Sequence, residues 1–498
     1  MLSPDSTAAT ASSPIDEDAA YQAWCTHDAR FDGRLFVGVT STGIYCRPVC
    51  RVRMPRRANM RFFGNAASAE RDGFRPCLRC RPELAPGLAL VDSSQVLAQH
   101  AAHLIQEAVH AGRSVGMPEI AGRLGVTDRH LRRIFLAVHG VTPIDHLTTQ
   151  RLLLAKQLLT DTAQPVTQVA HASGYDSLRR FNAAFQQRYR LSPSALRRAG
   201  RAGPAGGPPD LVRLRLGWRP PYDIDGVLRY FAQRQVGGLE VVDATGLRRT
   251  LALSHGGRLH RGWFAVRFDA QRHELEAAIS PGLAPALGGV LQSLRQAFDL
   301  DADPERIDPV LARLPVAPRP GIRLPSGFGG FEIAVRVILG QQVTVKAART
   351  LAQRLVDRFG EPVATPFADL SRLFPTAEAL AAARAESIGT LGIVRQRVGA
   401  LQALARAVAD GTLDLHRGAP LEPTLDALRA LPGVGEWTAQ VVAMRALAWP
   451  DAWPATDIGL YNALGSRDPK HLTALAEAWR PWRAYAVMRL WQELEKQT

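Results

Sequence analysis

Between about residues 92 and 199 apolar positions recur at helical spacing, and glycine interrupts the pattern twice, in MPEIAGRLGVTDRHLRRIFLAVHG and in VTQVAHASGYDSLRRFNAAFQQRYR. In the first stretch Ile120, Ala121 and Leu124 form the stripe to be buried, Gly125 permits a turn, and Thr127 caps a helix bearing Arg129, His130, Arg132 and Arg133. In the second, Val169 and Ala170 pack, Gly174 turns, and the next helix bears Ser177, Arg179, Arg180 and Asn182. Either half alone would suit any helical bundle; the tandem predicts two helix-turn-helix units over 92–199. Apolar periodicity then lapses in RRAGRAGPAGGPPD, which reads as a linker at 200–210. Beyond it, LVRLRLGW, LRRTLAL, GWFAVRFD and HELEAAI alternate like short strands, while VLRYFAQRQ and LGGVLQSLRQAF have the helical period, so 211–303 reads as an α+β layer. From about 304 the pattern is almost wholly helical, and residues 1–20, polar and small, read as a disordered lead-in.

Length and charge extend this picture. At 498 residues the chain exceeds what one core holds, so three or four units are expected. The net charge of +15 and a pI near 10.3 point to a polyanionic partner. Lysine occurs only at Lys156, Lys346, Lys470 and Lys496, so arginine, which suits bidentate phosphate contacts, carries nearly all the positive charge. No apolar run reaches membrane-spanning length, and the N-terminus lacks a secretion signal, so a cytoplasmic location is expected.

Cysteine placement adds chemistry. Cys46, Cys50, Cys77 and Cys80 form a C-x3-C and a C-x2-C pair, and each pair can span one edge of a zinc tetrahedron. Two disulfides are the alternative, disfavoured in a reducing compartment. Cys25 is left over as a spare thiol. Arg47, Arg51, Arg53, Arg56, Arg57, Arg61, Arg75, Arg79 and Arg81 surround the pairs, a collar that favours an approaching phosphate.

The runs GIYCRPVC and FRPCLRC closely resemble the methylphosphotriester-repair domain of the Ada family of alkylation-response regulators, over 21–86. That resemblance implies that Cys46 is both a Zn2+ ligand and a stoichiometric methyl acceptor, and that Arg53 contacts DNA. Methylation removes one negative charge from the cluster and should tighten DNA binding. The tandem helical units, joined by RLLLAKQLLTDT and closed by SPSALRR, resemble the AraC family DNA-binding domain. In that family two recognition helices enter major-groove segments one turn, about 34 Å, apart, which implies promoter DNA and RNA polymerase as partners. Arg190 stands where that pattern has glycine, which predicts strain at the end of the second recognition helix.

Within the helical region, LPGVG at 431–435 places Gly433 and Gly435 in a tight turn that lets a phosphate approach the backbone. PATDIGL follows with Asp457. Together with WRPPYD, GQQVTVKAA and AWRPWRAYAVMRLW, these make residues 211–495 resemble AlkA-type 3-methyladenine DNA glycosylases. The resemblance implies that Asp457 is the catalytic carboxylate, that Gln342 wedges into the vacated stack with Gln341 beside it, and that Trp437, Trp491 and Tyr230 line the base pocket. Val441 replaces a pocket aromatic, which implies a different substrate range. Lyase relatives carry a catalytic lysine after the hairpin, where this chain has Glu436 and Trp437, so a monofunctional, purely hydrolytic glycosylase is expected. The lack of cysteine beyond Cys80 excludes an iron-sulfur cluster and a second methyltransferase centre.

The expected fold is therefore multidomain α+β: a small zinc domain at 21–86, an all-α tandem helix-turn-helix domain at 92–199, an α+β layer at 211–303 and an all-α helix-hairpin-helix glycosylase domain at 304–498. The expected function joins methyl sensing, transcription activation and excision of alkylated purines, with alkylated and promoter double-stranded DNA as partners. The competing reading is a regulator whose inactive glycosylase domain serves only as a clamp.

Overall fold

The computed structural model describes residues 16–28, 31–32, 35–80, 82, 90–110, 115–162, 164–199, 211–255, 257–417 and 419–495. Most of the expected lead-in, the linker at 200–210 and Arg81 lie outside the described residues. The chain divides into two compact units, one of residues 1–102 with 117–145, the other of 103–116 with 146–498.

In the first unit, helix α1 (Glu17–Cys25) precedes a four-stranded sheet of order β3-β1-β2-β4, with β1 at Phe36–Val39, β2 at Ile44–Cys46, β3 at Met60–Phe63 and β4 at Arg75–Pro76. These strands are too short for the sequence pattern to have announced them. Their two faces bury different cores. Val37, Met60 and Trp24 pack with the four cysteines. Phe36, Tyr45, Phe63 and Phe74 pack with Ala69 of α2 (Ala66–Arg71). Helix α3 (Leu90–His110) begins in this unit, where the His139 ring meets the Ala98 carbonyl at 3.1 Å. Helices α4 (Met117–Arg123) and α5 (Asp128–His139) make the first helix-turn-helix pair, turning at Gly125 with φ +66°. Ile120 and Ala121 are buried as expected, whereas Leu124 is only half-buried.

The second unit contains most of α6 (Pro143–Asp161), then α7 (Val166–Ala172), α8 (Leu178–Tyr189) and α9 (Pro193–Ala199). Gln157 and Gln164 donate to the Arg215 and Ala284 carbonyls at 3.3 and 3.2 Å, which seats this helical part against the α+β layer. That layer is a sheet of order β5-β9-β8-β7-β6: β5 Val212–Gly217, β6 Glu240–Val242, β7 Gly246–His255, β8 Arg258–Asp269 and β9 Glu274–Ile279, all neighbours antiparallel. The four alternating segments occupy their expected strands; three-residue β6 is the addition. Helices α10 (Ile224–Arg234) and α11 (Leu287–Ala297) accompany the sheet.

The remaining helices are α12 (Pro304–Leu311), α13 (Gly330–Leu339), α14 (Val345–Phe359), α15 (Ala377–Ala382), α16 (Ala385–Gly389), α17 (Arg395–Ala409), α18 (Leu421–Arg429), α19 (Glu436–Arg445), α20 (Ile458–Leu464), α21 (Pro469–Ala476) and α22 (Arg483–Glu495). They enclose one large aliphatic core. The sheet is fastened to α13 by charge: buried Arg249 of β7 pairs with Glu240 of β6 and Glu332 of α13, and Arg336 pairs with both glutamates at 2.8 and 2.9 Å. Removing one member would leave its buried partners uncompensated, a loss of about 3–5 kcal/mol.

Candidate functional site

The two cysteine pairs meet because β2 and β4 run parallel with Tyr45 opposite Pro76, so Cys46 and Cys77 follow side by side. All four sulfurs are buried and lie within 4.8 Å of one another. Zinc–sulfur bonds of about 2.3 Å require a tetrahedral edge of roughly 3.8 Å, so the donor set fits Zn2+. Hydrogen bonds with Cys46 and Cys80 hold the Cys50 thiol down to about 5, while those to Cys50 and Cys80, with burial, push Cys46 far up. Such crowded thiols cannot all ionise together without a cation among them. The arginine collar needs one correction: Arg47 is fully buried, its guanidinium pairs with Asp32 (Nε to Oδ1 2.7 Å), and its backbone N–H points at the Cys80 sulfur at 3.4 Å. It braces the cluster from inside, whereas Arg53, Arg56, Arg75 and Arg79 are exposed.

In the first helix-turn-helix pair Thr127 caps α5 by accepting from His130 N at 3.2 Å, and Gly140 ends it with φ +71°. Arg129, Arg132 and Arg133 are exposed; Arg132 pairs with Asp128 at 2.9 Å and Arg133 meets the His130 ring at 2.9 Å. Helix α8 repeats the plan, with Ser177 as its cap, Phe181 and Phe185 buried, and Arg179, Arg180 and Asn182 exposed. Ser177 thus spends its hydroxyl on the cap, accepting from Arg180 N at 3.5 Å. Arg190 adopts the left-handed cap conformation, φ +57°, that glycine takes at the end of α5. Its N–H still reaches Gln186 O at 2.9 Å, so the helix closes normally and the cost is local, about 1–2 kcal/mol.

In the glycosylase-like region α18, the turn at 431–435 and α19 form a helix-hairpin-helix. Gly433 has φ +77°, and Gly435 opens α19 with no side-chain cap, leaving the first-turn amides available to an anion. Val434 between them is buried and anchors the turn.

Asp457 lies at the N-cap of α20, 8% exposed. Its Oδ1 accepts from Leu460 N at 2.9 Å and from Trp491 Nε1 at 2.8 Å, and its Oδ2 from Trp437 Nε1 at 2.7 Å. The two tryptophans therefore aim the carboxylate through their indole N–H groups. A Cβ on Gly459 would stand 2.9 Å from Asp457 Oδ1 and 3.1 Å from the Trp491 indole, so any larger residue would press the carboxylate or the indole aside. Helix α22, which carries Trp491, is held by Arg483, bidentate to buried Asp451 at 2.8 and 2.9 Å, and by Gln492, which donates to Asp223 at 3.2 Å. Tyr230 has the guanidinium groups of Arg234 and Arg445 over its ring at 4.2 and 4.5 Å, and Arg445 also lies 5.6 Å from the Trp491 ring. Glu436 is turned to Arg429 (2.7 and 3.2 Å), whose hydrogen bond holds its carboxyl below the usual range.

Gln342 is exposed with φ +52°. Gln341 instead turns inward: Nε2 donates to Gly433 O and to Thr438 Oγ1, both at 2.9 Å. Gly459, Arg445 and Asp451 escaped the sequence reading, because none belongs to a chemical motif and each acts through a neighbour distant in sequence.

Comparison with known proteins agrees with this geometry. The metal-binding domain of Ada matches residues 19–83, a helix-turn-helix domain 120–199, the AlkA N-terminal domain 213–329, and the HhH-GPD superfamily of base excision DNA repair proteins 335–481. A Mycobacterium tuberculosis protein described as a probable bifunctional transcriptional activator/DNA repair enzyme AlkA is 38% identical over 96% of this chain and 97% of its own length. Escherichia coli DNA-3-methyladenine glycosylase 2 is 35% identical over 55% of this chain and 95% of its own, and the E. coli bifunctional activator Ada is 31% identical over 33% of this chain and 44% of its own. A zinc-fitting thiol cluster, paired helix-turn-helix units and a helix-hairpin-helix carboxylate site on one polypeptide, matched end to end by the mycobacterial protein, establish that the chain belongs to the family of AlkA-type bifunctional transcriptional activator/DNA repair enzymes.

Proposed function

We propose that the chain couples methyl sensing and promoter binding to hydrolytic excision of alkylated purines. The observation that carries the excision reading is the buried Asp457 carboxylate, oriented by two indole N–H groups beside an uncapped hairpin. Hairpin amides at Gly433 and Gly435 grip a phosphate, Gln342 fills the vacated stack, and the flipped base enters against Trp437 and Trp491, with Tyr230 behind. A 3-methyladenine already carries positive charge, so the bond from C1′ to the base nitrogen breaks with its electron pair going to the base, which leaves neutral. Asp457 stabilises the electron-poor sugar, water adds at C1′, and its proton is lost to the carboxylate or solvent. Glu436 and Trp437 follow the hairpin and carry no amine that could form a Schiff base, so the product is an abasic site without strand cleavage. In this sense the glycosylase step is monofunctional, although the chain as a whole is not.

At the thiol cluster, bound zinc would keep the cysteine sulfurs ionised at neutral pH. Cys46 Sγ attacks the methyl carbon of a phosphotriester, the phosphodiester leaves with the electron pair, and a thioether remains. Arg53 and the exposed arginines near it contact backbone phosphate. The helices bearing Arg129, His130, Arg132 and Arg133, and Arg179, Arg180 and Asn182, read promoter DNA, with RNA polymerase recruited there. Incubating the full chain with methylated duplex tests the whole reading: free 3-methyladenine should appear, borohydride should trap no adduct, and mass spectrometry should place one methyl on Cys46. No base release would favour the clamp alternative.

A further inference from the structure

The peptide between Gln341 and Gln342 is held from two sides. Gln341 Nε2 donates to Gly433 O and Thr438 Oγ1 at 2.9 Å each, and Arg397 Nη2 donates to the Gln341 carbonyl. Thr438 is 3% exposed in the first turn of α19, so the amide is fixed to the rigid side of the hairpin. Gln342 itself stands at φ +52°, a conformation that a non-glycine residue keeps only where its surroundings impose it. These contacts supply that restraint, through residues from α17, the hairpin and α19. The Gly433 carbonyl accepts from Gln341, which ties the turn directly to the segment that carries Gln342.

We propose that Gln341 is a positioning residue that locks Gln342 to the hairpin, so that the phosphate gripped and the nucleotide displaced stand in fixed register. The proposal rests on the reading of Gln342 as the wedge. A duplex site is then opened only where hairpin and wedge engage together, and a wedge freed from the hairpin enters the stack inefficiently.

A double-mutant cycle on the full chain tests this, reading the fluorescence of 2-aminopurine placed beside a tetrahydrofuran abasic analogue in duplex DNA, which reports wedge entry. Gln341→Ala should slow the fluorescence rise by about tenfold, the scale of one or two lost hydrogen bonds. Gln342→Ala should slow it at least as much, and the double variant should be no slower than Gln342→Ala, since contacts that act only through the wedge are not additive with it. Thr438→Val, which removes one acceptor at nearly unchanged shape, should reproduce part of the Gln341→Ala loss and keeps the test available if Gln341→Ala misfolds. Additive losses, with Gln342→Ala clearly impaired, would overturn the coupling while leaving the wedge intact. A Gln342→Ala variant with normal fluorescence would remove the wedge reading and the coupling with it.

Discussion

Asp457, the proposed catalytic carboxylate, takes its geometry largely from other residues. Its carboxylate has three donors, two of them indoles brought from α19 and from α22. Replacing Asp457 by Asn keeps the shape and removes the charge, and base release should fall by roughly two powers of ten while binding to damaged duplex largely persists. Gly459→Ala leaves every donor and the charge in place, yet its methyl would meet Asp457 Oδ1 and the Trp491 indole. Excision should drop at least about tenfold, with a bluer or redder tryptophan emission marking the displaced ring; unchanged rates would show that the close approach is incidental. Asp299 carries a pH signature. Burial pushes its carboxyl up to about 6 from 3.8, against hydrogen bonds from Leu324 N and Tyr485 OH. The folded state therefore binds the proton more tightly than the unfolded chain, and this stabilisation, complete below about pH 4, is lost as the pH rises through about 6. Asp299→Asn, at a φ of +50° that asparagine tolerates, should flatten the fall in thermal stability across that window.

Among the elements, the zinc domain depends most on its ligand. Its cysteines form part of one of its small cores, alongside Trp24, Val37 and Met60, and few other apolar groups reinforce it. Stripping zinc with a chelator should unfold the zinc domain, seen as loss of protection in hydrogen exchange, and abolish methyl transfer, whereas base release should survive. Release lost together with zinc would mean that the sensor and the glycosylase fold as one. The hairpin is the second sensitive element. Gly433 combines φ +77° with a Cβ position 3.2 Å from Ala400 Cβ, so Gly433→Ala is strained both in the backbone and against α17. The strain is on the order of 1–2 kcal/mol, and duplex affinity should weaken by about tenfold without altering the carboxylate.

At the scale of the whole molecule, a net charge of +15, with arginines on the elements proposed to face DNA, should make affinity steeply salt-dependent. Arg179→Ala and Arg180→Ala should each weaken promoter binding and reduce the slope of log affinity against log salt by about one if the side chain contacts a phosphate. Methyl transfer to Cys46 should be untouched; a variant with the parental slope would remove that arginine from the interface. Near-complete reliance on arginine also makes arginine the structural cation. Arg47, Arg249, Arg445 and Arg483 are buried and hold carboxylates, carbonyls or rings, so the number of arginines overstates how many can meet DNA.

The sequence alone determined the thiol spacing, the two glycine-broken helical repeats, the alternating strands of the layer and the position of Asp457 after LPGVG, because each is a local pattern in which a few neighbouring residues impose the geometry. It could not reveal that Arg47 turns inward to Asp32, that Gln341 serves the hairpin, or that Trp437 and Trp491 share one carboxylate. Arg47 meets Asp32 from 15 residues away, Gln341 meets Gly433 from 92, and Trp491 meets Asp457 from 34. Contacts at such separations are selected by packing, which decides which side chain fits a given space only after the elements have docked.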